Sequence, residues 1–482
     1  LGIALDFLNS QVQYKNKAII LSDILQSGIP PEKLYSEVAS LIQEKRISHL
    51  IGIGTEISTH RKLFTGEKSE FFESTEEYLA NYNFGTFRDQ AILLKGARRF
   101  GFERISAMLQ LKDHQTVLEI NLDALVHNLN VYRSKLKPGV KIAAMVKAFA
   151  YGSGGAEIAS TLQYHQVDYL AVAFADEGSE LRNAGITLPI MVLNPELYNL
   201  DVLFRFNLEP EIYSLSLLRR IAVELVRFGG FSPDNPFPVH IQLDTRMHRL
   251  GFMPDETEDL IALLKENPLI KVISVFSHFA ASDLPQFDDF TRQQIEMFSS
   301  LCATIESGLG YPFLKHIANT TAISRFPDSH FDMVRPGIGL YGVDGYIETE
   351  KLLQNVTTFR SVISQIKSVK KGETVGYNRA GVLMRDTTLA IVPAGYADGI
   401  NRRLGNGNGY LVVNGMKAPF IGHISMDMCA IDITDIVAKE GDEVIIFGKE
   451  LPVAEVSRQL GTIPYEVFTS VPPRVKRVYF KE

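Results

Sequence analysis

The chain has 482 residues, 45% of them hydrophobic and 22% charged, and a net charge of -7. At about 150 residues per domain that is room for roughly three domains with sizeable cores, and the acidic balance argues against a nucleic-acid-binding protein, which needs a basic face. No apolar stretch approaches the roughly 18 residues that span a bilayer, which argues against a membrane protein.

The chain opens on LGIALDFLNSQVQYKNK, with no initiator Met, no basic leader and no small-residue cleavage site. The expectation is a fragment of a longer protein that carries no signal peptide. Over residues 1–112 the short apolar runs KAIILSD, HLIGIG, SEFFES and QAILLKGA alternate with helical patterns such as PPEKLYSEVASLIQEK, where Pro30 and Pro31 suit a helix start. That alternation predicts a small, open, Rossmann-like parallel α/β sheet. MLQLKDHQT reads as a linker, and TVLEINL as a strand; residues 113–121 form the linker and a first strand that packs with the last domain.

Residues 122–354 continue the alternation. KIAAMVKA, YLAVAF, PIMVLN, LEPEIYS, FPVHIQLD, LIKVISVFSHF, FLKHIAN and MVRPGIGLYG are eight strand candidates with helical patterns between most of them. Eight βα units over about 200 residues predict a (β/α)8 TIM barrel. Residues 355–482 change rhythm: SVISQIKSV, TLAIVPAGY, YLVVNG, CAIDITD and DEVIIFG are short strands parted by turns such as VNGMK, which predicts an all-β domain. The two cysteines, Cys302 in a helical pattern and Cys429 in a strand pattern, form neither a disulfide framework nor a metal-ligand spacing. They read as buried free thiols in a reducing, cytoplasmic setting.

Barrel active sites stand at the C-terminal ends of the strands. The first strand pattern ends at Lys147, the fifth runs into the loop that carries Arg249, the sixth ends at Ser277-His278, the seventh at Asn319-Thr320, and the eighth holds Arg335 before Pro336-Gly337-Ile338-Gly339. A desolvated lysine becomes a nucleophile toward carbonyls, although a strand-end lysine can also snorkel to water. The Thr320 hydroxyl and the amides near Gly337 follow strands seven and eight, where barrels bind phosphate. Together they favour a phosphorylated carbonyl cofactor opposite a reactive lysine.

AAMVKAFAYGSGG, LDTRMHRLGF, SHFAASD, HIANTTAISRFPD, MVRPGIGLYG, GYADGINRRL and GHISMDM resemble, in order and approximate spacing, the motifs of the alanine racemase family, and the resemblance covers residues from about 115 to the end. It implies pyridoxal 5'-phosphate held by Lys147 as a Schiff base, with Lys147 also one acid/base. Tyr377, in TVGYNRA, would be the second base, reaching in from the other subunit of a homodimer. Arg335 would face the pyridine nitrogen with His278 behind it, and Tyr151, Asn319, Thr320, Gly337 and Ile338 would complete the cofactor site. Arg249 would contact the cofactor's phenolate oxygen and the substrate carboxylate, helped by the Met426 backbone of the partner. Asp283, Tyr341, Tyr396 and Asp427 would line the entrance. L-Alanine and D-alanine would be the ligands, and no metal is implied.

Several positions depart from the family pattern. Gln242 stands where the family often has a carbamylated lysine that holds the motif arginine, and Arg246 stands for a glycine. His423 replaces an arginine, and Pro473 in SVPPRVKRVY replaces a tyrosine that contacts phosphate in some members. Residues 1–112 resemble the C-terminal domain of Mur peptide ligases, most like the enzyme that adds D-alanyl-D-alanine, through KAIILSDILQSG, HLIGIG and AILLKGARRFGFERI. Lys95 and Arg98 would be relics of a dipeptide site. Without a G-x-x-x-x-G-K-[ST] loop no ligase activity is expected. The rival readings are a barrel-fold pyridoxal-phosphate decarboxylase, which needs no Tyr377, a non-catalytic carrier of the cofactor, and a racemase for serine.

Overall fold

The computed structural model describes residues 1–11, 14–25, 27–65, 68–82, 86–87, 90–109, 115–196, 198 and 200–481. The chain divides into two compact units, Leu1–Asp113 and His114–Glu482. Residues 110–114 of the expected linker lie outside the described residues.

In the front unit the four apolar runs are β1 (Asn16–Ser22), β2 (His49–Ile53), β3 (Ser69–Phe72) and β4 (Gln90–Lys95), paired in parallel in the order β3-β2-β1-β4. A parallel sheet covered on both faces needs apolar side chains at every position of its central strands. Alternation then deals those side chains to two cores. Ile19, Leu21 and Leu50 join Leu5, Tyr35 and Ile42 on one face, while Ile20, Ile51 and Ile53 join Tyr78 and Ile105 on the other. Helix Pro31–Glu44 starts on its proline, where the missing N–H costs nothing.

The second unit begins with β5 (Val117–Asn121), and the barrel follows: β6 (Lys141–Met145), β7 (Tyr169–Val172), β8 (Ile190–Val192), β9 (Glu209–Ile212), β10 (Phe237–Gln242), β11 (Ile270–Phe276), β12 (Leu314–His316) and β13 (Met333–Val334). They lie in the order β12-β11-β10-β9-β8-β7-β6-β13. The seam between β12 and β13 is bridged by the Asp332 N–H to the Lys315 carbonyl and the Arg335 N–H to the Ala318 carbonyl, both at 3.0 Å. Each strand is shorter than its apolar pattern because the C-terminal part of the pattern is already the mouth loop. β13 is shortest; Pro336, two residues on, has no N–H to extend a ladder.

The C-terminal part adds β14 (Thr357–Val362), β15 (Gln365–Val369), β16 (Thr374–Val375), β17 (Gly381–Val382), β18 (Thr387–Val392), β19 (Tyr410–Val413), β20 (Met416–Ile421), β21 (Cys429–Asp432), β22 (Glu443–Phe447) and β23 (Lys476–Phe480). Apart from the β16–β17 pair, these strands and β5 form one nine-stranded sheet ordered β15-β18-β21-β20-β19-β22-β14-β5-β23. Asn414 (φ 49°) and Gly415 (φ 75°) make the tight turn between β19 and β20, the left-handed pair that a two-residue hairpin demands. Two expectations need correction. SVISQIKSV is not one strand: at Ile363–Ser364 the backbone turns from bonding Asp442 to bonding Ile391, so β14 and β15 sit in different parts of the sheet. The domain is also not all-β, since helices Val453–Leu460 and Pro464–Thr469 interrupt it, the first burying Val453, Val456 and Leu460 at helical spacing.

Cys302, in helix Asp288–Leu309, and Cys429, in β21, are both free and buried. Burial raises the Cys302 thiol to about 12, so it stays protonated and inert. Among the described residues no helix is long and apolar enough to cross a membrane.

Candidate active site

Lys147 leaves β6 into a left-handed turn. Ala148, Phe149, Ala150 and Tyr151 all have φ between 51° and 55°. Left-handed backbone costs roughly 1–2 kcal/mol for each non-glycine residue, so this segment is strained and its neighbours must hold it. The Tyr341 hydroxyl donates to the Met145 carbonyl at 3.1 Å, the Gly152 N–H to the Ala148 carbonyl at 3.0 Å, and the Gly154 N–H to the Phe149 carbonyl at 2.9 Å. Burial lowers the Lys147 pKa, and the Arg249 charge lowers it further; Glu177 and Glu211 oppose this, and Arg335 adds a smaller lowering effect. A lysine with a depressed pKa is the nucleophilic form.

Across the mouth, Asn319 follows β12 and its carboxamide caps helix Thr320–Arg325, accepting from the Ala322 N–H at 3.1 Å and from the Ser282 hydroxyl at 3.0 Å. Its side chain therefore shapes the loop. Thr320 Oγ1 accepts from the Gly337 N–H at 2.8 Å. A Cβ at Gly337 would lie 2.7 Å from the Tyr151 hydroxyl and 3.6 Å from Thr320 Oγ1, so only glycine lets these hydroxyls close on the loop. Ile338–Tyr341 opens a short 3-10 turn here, and the first N–H groups of such a turn have no partner within it. The Tyr151 hydroxyl makes no hydrogen bond among the described residues. Two hydroxyls and the start of a helical turn, opposite a desolvated lysine, fit a phosphorylated aldehyde. Tyr341, 1% exposed, tilts its ring against that of Tyr151 with centroids 4.7 Å apart.

Beneath the mouth, Arg335 is buried and carries a chain of polar side chains that the sequence did not disclose. Its Nη1 donates to His316 Nδ1 at 2.6 Å; His316 Nε2 lies 2.8 Å from Ser274 Oγ; Ser274 Oγ lies 2.6 Å from His240 Nδ1; and His240 Nε2 lies 2.9 Å from Glu209 Oε2. Guanidinium can only donate, which fixes the rest. His316 accepts at Nδ1 and donates from Nε2 to Ser274, which donates to His240, which donates to the Glu209 carboxylate. Burial, then the Arg335 charge, push the His316 pKa well down, in accord with a neutral ring. Arg335 itself falls to about 10 through burial and stays charged at neutral pH. The residue immediately behind Arg335 is thus His316; His278 Nδ1 is 3.5 Å from Nη2, a longer contact. Ser274→Ala removes one hydroxyl and strands the His316 Nε2–H and the His240 Nδ1 in the core. Chemical denaturation should show a loss of roughly 2 kcal/mol.

Arg249 is exposed in the single chain and makes no hydrogen bond or ion pair among the described residues. Gln242 does not hold it, because the Gln242 amide donates to the Leu250 carbonyl at 2.9 Å. Glu211, buried on β9 with an unpartnered Oε1, faces Arg249, Arg335 and Lys147, and burial raises its pKa. Arg246 takes a left-handed conformation, with φ 77°, and its guanidinium bonds Gln293. Tyr465 packs against Tyr151 with ring centroids 5.8 Å apart.

Tyr377, Tyr396 and Met426 are 67%, 44% and 52% exposed. Their loops are joined: the Tyr396 and Ala397 N–H groups donate to the Ser425 and Met426 carbonyls, and Gly376 abuts His423. Arg474 ties Asp427 (2.7 Å) to the buried Asp398 (2.9 Å). Asp283 is exposed at the mouth. In the front unit Lys95, at the end of β4, and Arg98, beyond it, are exposed, while Arg99 approaches the buried Asp23 at 3.8 Å.

A closed parallel barrel that presents a desolvated lysine opposite a phosphate cradle defines a barrel-fold enzyme for an aldehyde cofactor. Comparison with known proteins narrows this. The alanine racemase N-terminal domain family matches residues 120–345 and its C-terminal domain family residues 356–479. The alanine racemase of Clostridium tetani is 37% identical over 376 residues, 76% of this chain and 95% of that protein. That of Desulforamulus reducens is 38% identical over 379 residues, 75% and 98% of the two chains. The solved alanine racemase of Clostridium difficile superposes with a TM-score of 0.72 at 34% identity, covering 77% of this chain and 97% of that one. The chain belongs to the alanine racemase family, whose members are pyridoxal-phosphate-dependent isomerases. Both family matches begin after the front unit, which draws no support from them.

Proposed function

We propose that the chain interconverts L-alanine and D-alanine by a two-base proton transfer. The observation that carries this reading is Lys147, desolvated between Arg249 and Arg335 and opposite the Tyr151–Thr320–Gly337 cradle. Pyridoxal phosphate, when bound, supplies the electron sink for charge left on the substrate Cα. Lys147 holds it covalently and moves the proton on one face of Cα. Tyr377 of a second copy moves the proton on the other. Tyr151, Thr320 and the amides of Gly337 and Ile338 hold the phosphate. Arg335, a donor only, keeps the pyridine nitrogen unprotonated and so restrains side reactions. Arg249 and the Met426 backbone of the second copy receive the substrate carboxylate, and Asp283, Tyr341, Tyr396 and Asp427 line the entrance.

A homodimer is supported by the exposed apolar set Tyr377, Val382, Met384, Tyr396, Met426 and Met428, which a monomer would leave in water. The biological reading is D-alanine supply for peptidoglycan in the cytoplasm, with residues 1–112 a catalytically silent remnant related to Mur ligase C-terminal domains. Its support is the open parallel sheet of that unit and the sequence motifs quoted above. Incubation of the purified chain and cofactor with L-alanine, and in parallel with L-serine, tests the proposal. D-Alanine formation is expected. Turnover of serine alone would reassign the substrate, and carbon dioxide from an amino-acid panel would reassign the chemistry to a decarboxylase.

A further inference from the structure

Glu177 lies in the first turn of helix Ala175–Asn183, and one of its carboxylate oxygens does an ordinary job there. Oε2 accepts the backbone N–H groups of Ala173, at 2.7 Å, and Phe174, at 3.4 Å, and so caps the helix. The other oxygen does something a cap does not require. Oε1 reaches across to the loop after β6 and accepts the N–H of Ala148 at 2.6 Å. Ala148 is the residue after Lys147 and the first of the four left-handed residues. A carboxylate bound to a backbone N–H is among the stronger hydrogen bonds of a protein. It is set at the point where the strained turn begins, and it links the mouth loops of the first two barrel strands.

We propose that Glu177 is a positioning residue for Lys147: its carboxylate anchors the left-handed turn at Ala148, the residue that follows the lysine. The proposal rests on Lys147 being the cofactor lysine. The charged groups around the Lys147 amine are Arg249, Arg335, Glu177 and Glu211, with His278 also within electrostatic reach. The two arginines disfavour the ammonium. Glu177 and Glu211 favour it, so removing the Glu177 charge leaves the amine neutral down to a lower pH.

The substitution E177Q is nearly isosteric but has one carbonyl oxygen where the native residue has two. It can cap the helix or hold Ala148, not both. The apo-enzyme is mixed with pyridoxal phosphate over a pH series, the linkage is trapped with borohydride, and the labelled lysine is identified by mass spectrometry. In E177Q the pH midpoint of labelling should fall by about half a unit, and kcat for alanine should fall about tenfold with KM little changed. E177D keeps the charge but is one methylene too short to span both loops; its midpoint should stay near that of the native chain while kcat falls. If E177Q loses only thermal stability, with midpoint and kcat unmoved, Glu177 is a helix cap and the proposal is overturned. A label on a lysine other than Lys147 in the native chain overturns the reading beneath the proposal, and the proposal with it.

Discussion

Lys147→Ala removes D-alanine formation, with a loss on the order of 10^4-fold or more, and removes the absorbance of covalently bound cofactor. The same change should leave the melting temperature unaltered or raise it. Lys147 is a partly desolvated cation with Arg249 and Arg335 as neighbours, so in the folded state its charge is a liability. Function and stability are opposed at this position. A purely structural lysine would behave in the opposite way, its loss lowering the melting temperature and sparing turnover. Absorbance spectroscopy, a thermal melt and a D-alanine assay on one preparation separate the two cases.

Tyr377→Phe should reduce racemisation by about 10^2- to 10^4-fold while leaving cofactor binding intact, because only one phenolic proton is lost and Tyr377 stands on the C-terminal domain. Exchange of the Cα proton on the Lys147 face should survive for one enantiomer. The trans arrangement gives a sharper outcome. When inactive Lys147→Ala and Tyr377→Phe chains are mixed and allowed to re-pair, each mixed dimer has one site with both bases and one with neither. About a quarter of native activity should return on random pairing. If both bases came from one chain, every site would lack one of them and no activity would return. The 67% exposure of Tyr377 in the single chain agrees with a partner that completes its surroundings.

Much of this architecture is legible in the residues. Parallel strands buried on both faces leave unbroken apolar runs, which is why both the front sheet and the barrel strands stand out. The lysine, the arginines and the Gly337 loop are legible because they interrupt those runs at strand ends. The chain behind Arg335 is not, because each member looks ordinary in its own strand. His240 and Ser274 become neighbours only through the register that pairs them across β10 and β11, and His316 joins from β12. Glu177 hides for a related reason: in ADEGSELRN it is a first-turn acid like many others, and its contact with Ala148 depends on two loops 29 residues apart. The contact of Tyr341 with Tyr151 was not legible either, because the motif gives its distance from Arg335 but not that a 3-10 turn folds the ring inward. The break in SVISQIKSV could not be read at all, since both halves alternate like strand and only the partners change. Helix Val453–Leu460 was missed by the all-β reading, although Val453, Val456 and Leu460 stand at helical spacing.

The central claim is that a proton leaves one face of Cα and returns on the other with solvent-exchangeable hydrogen. Its most direct test is L-alanine incubated with the purified chain and cofactor in heavy water, followed by chirality and Cα isotope content. The account predicts D-alanine carrying deuterium at Cα from the earliest time points, at a rate that vanishes in Lys147→Ala. Bound cofactor with neither inversion nor Cα exchange would contradict it.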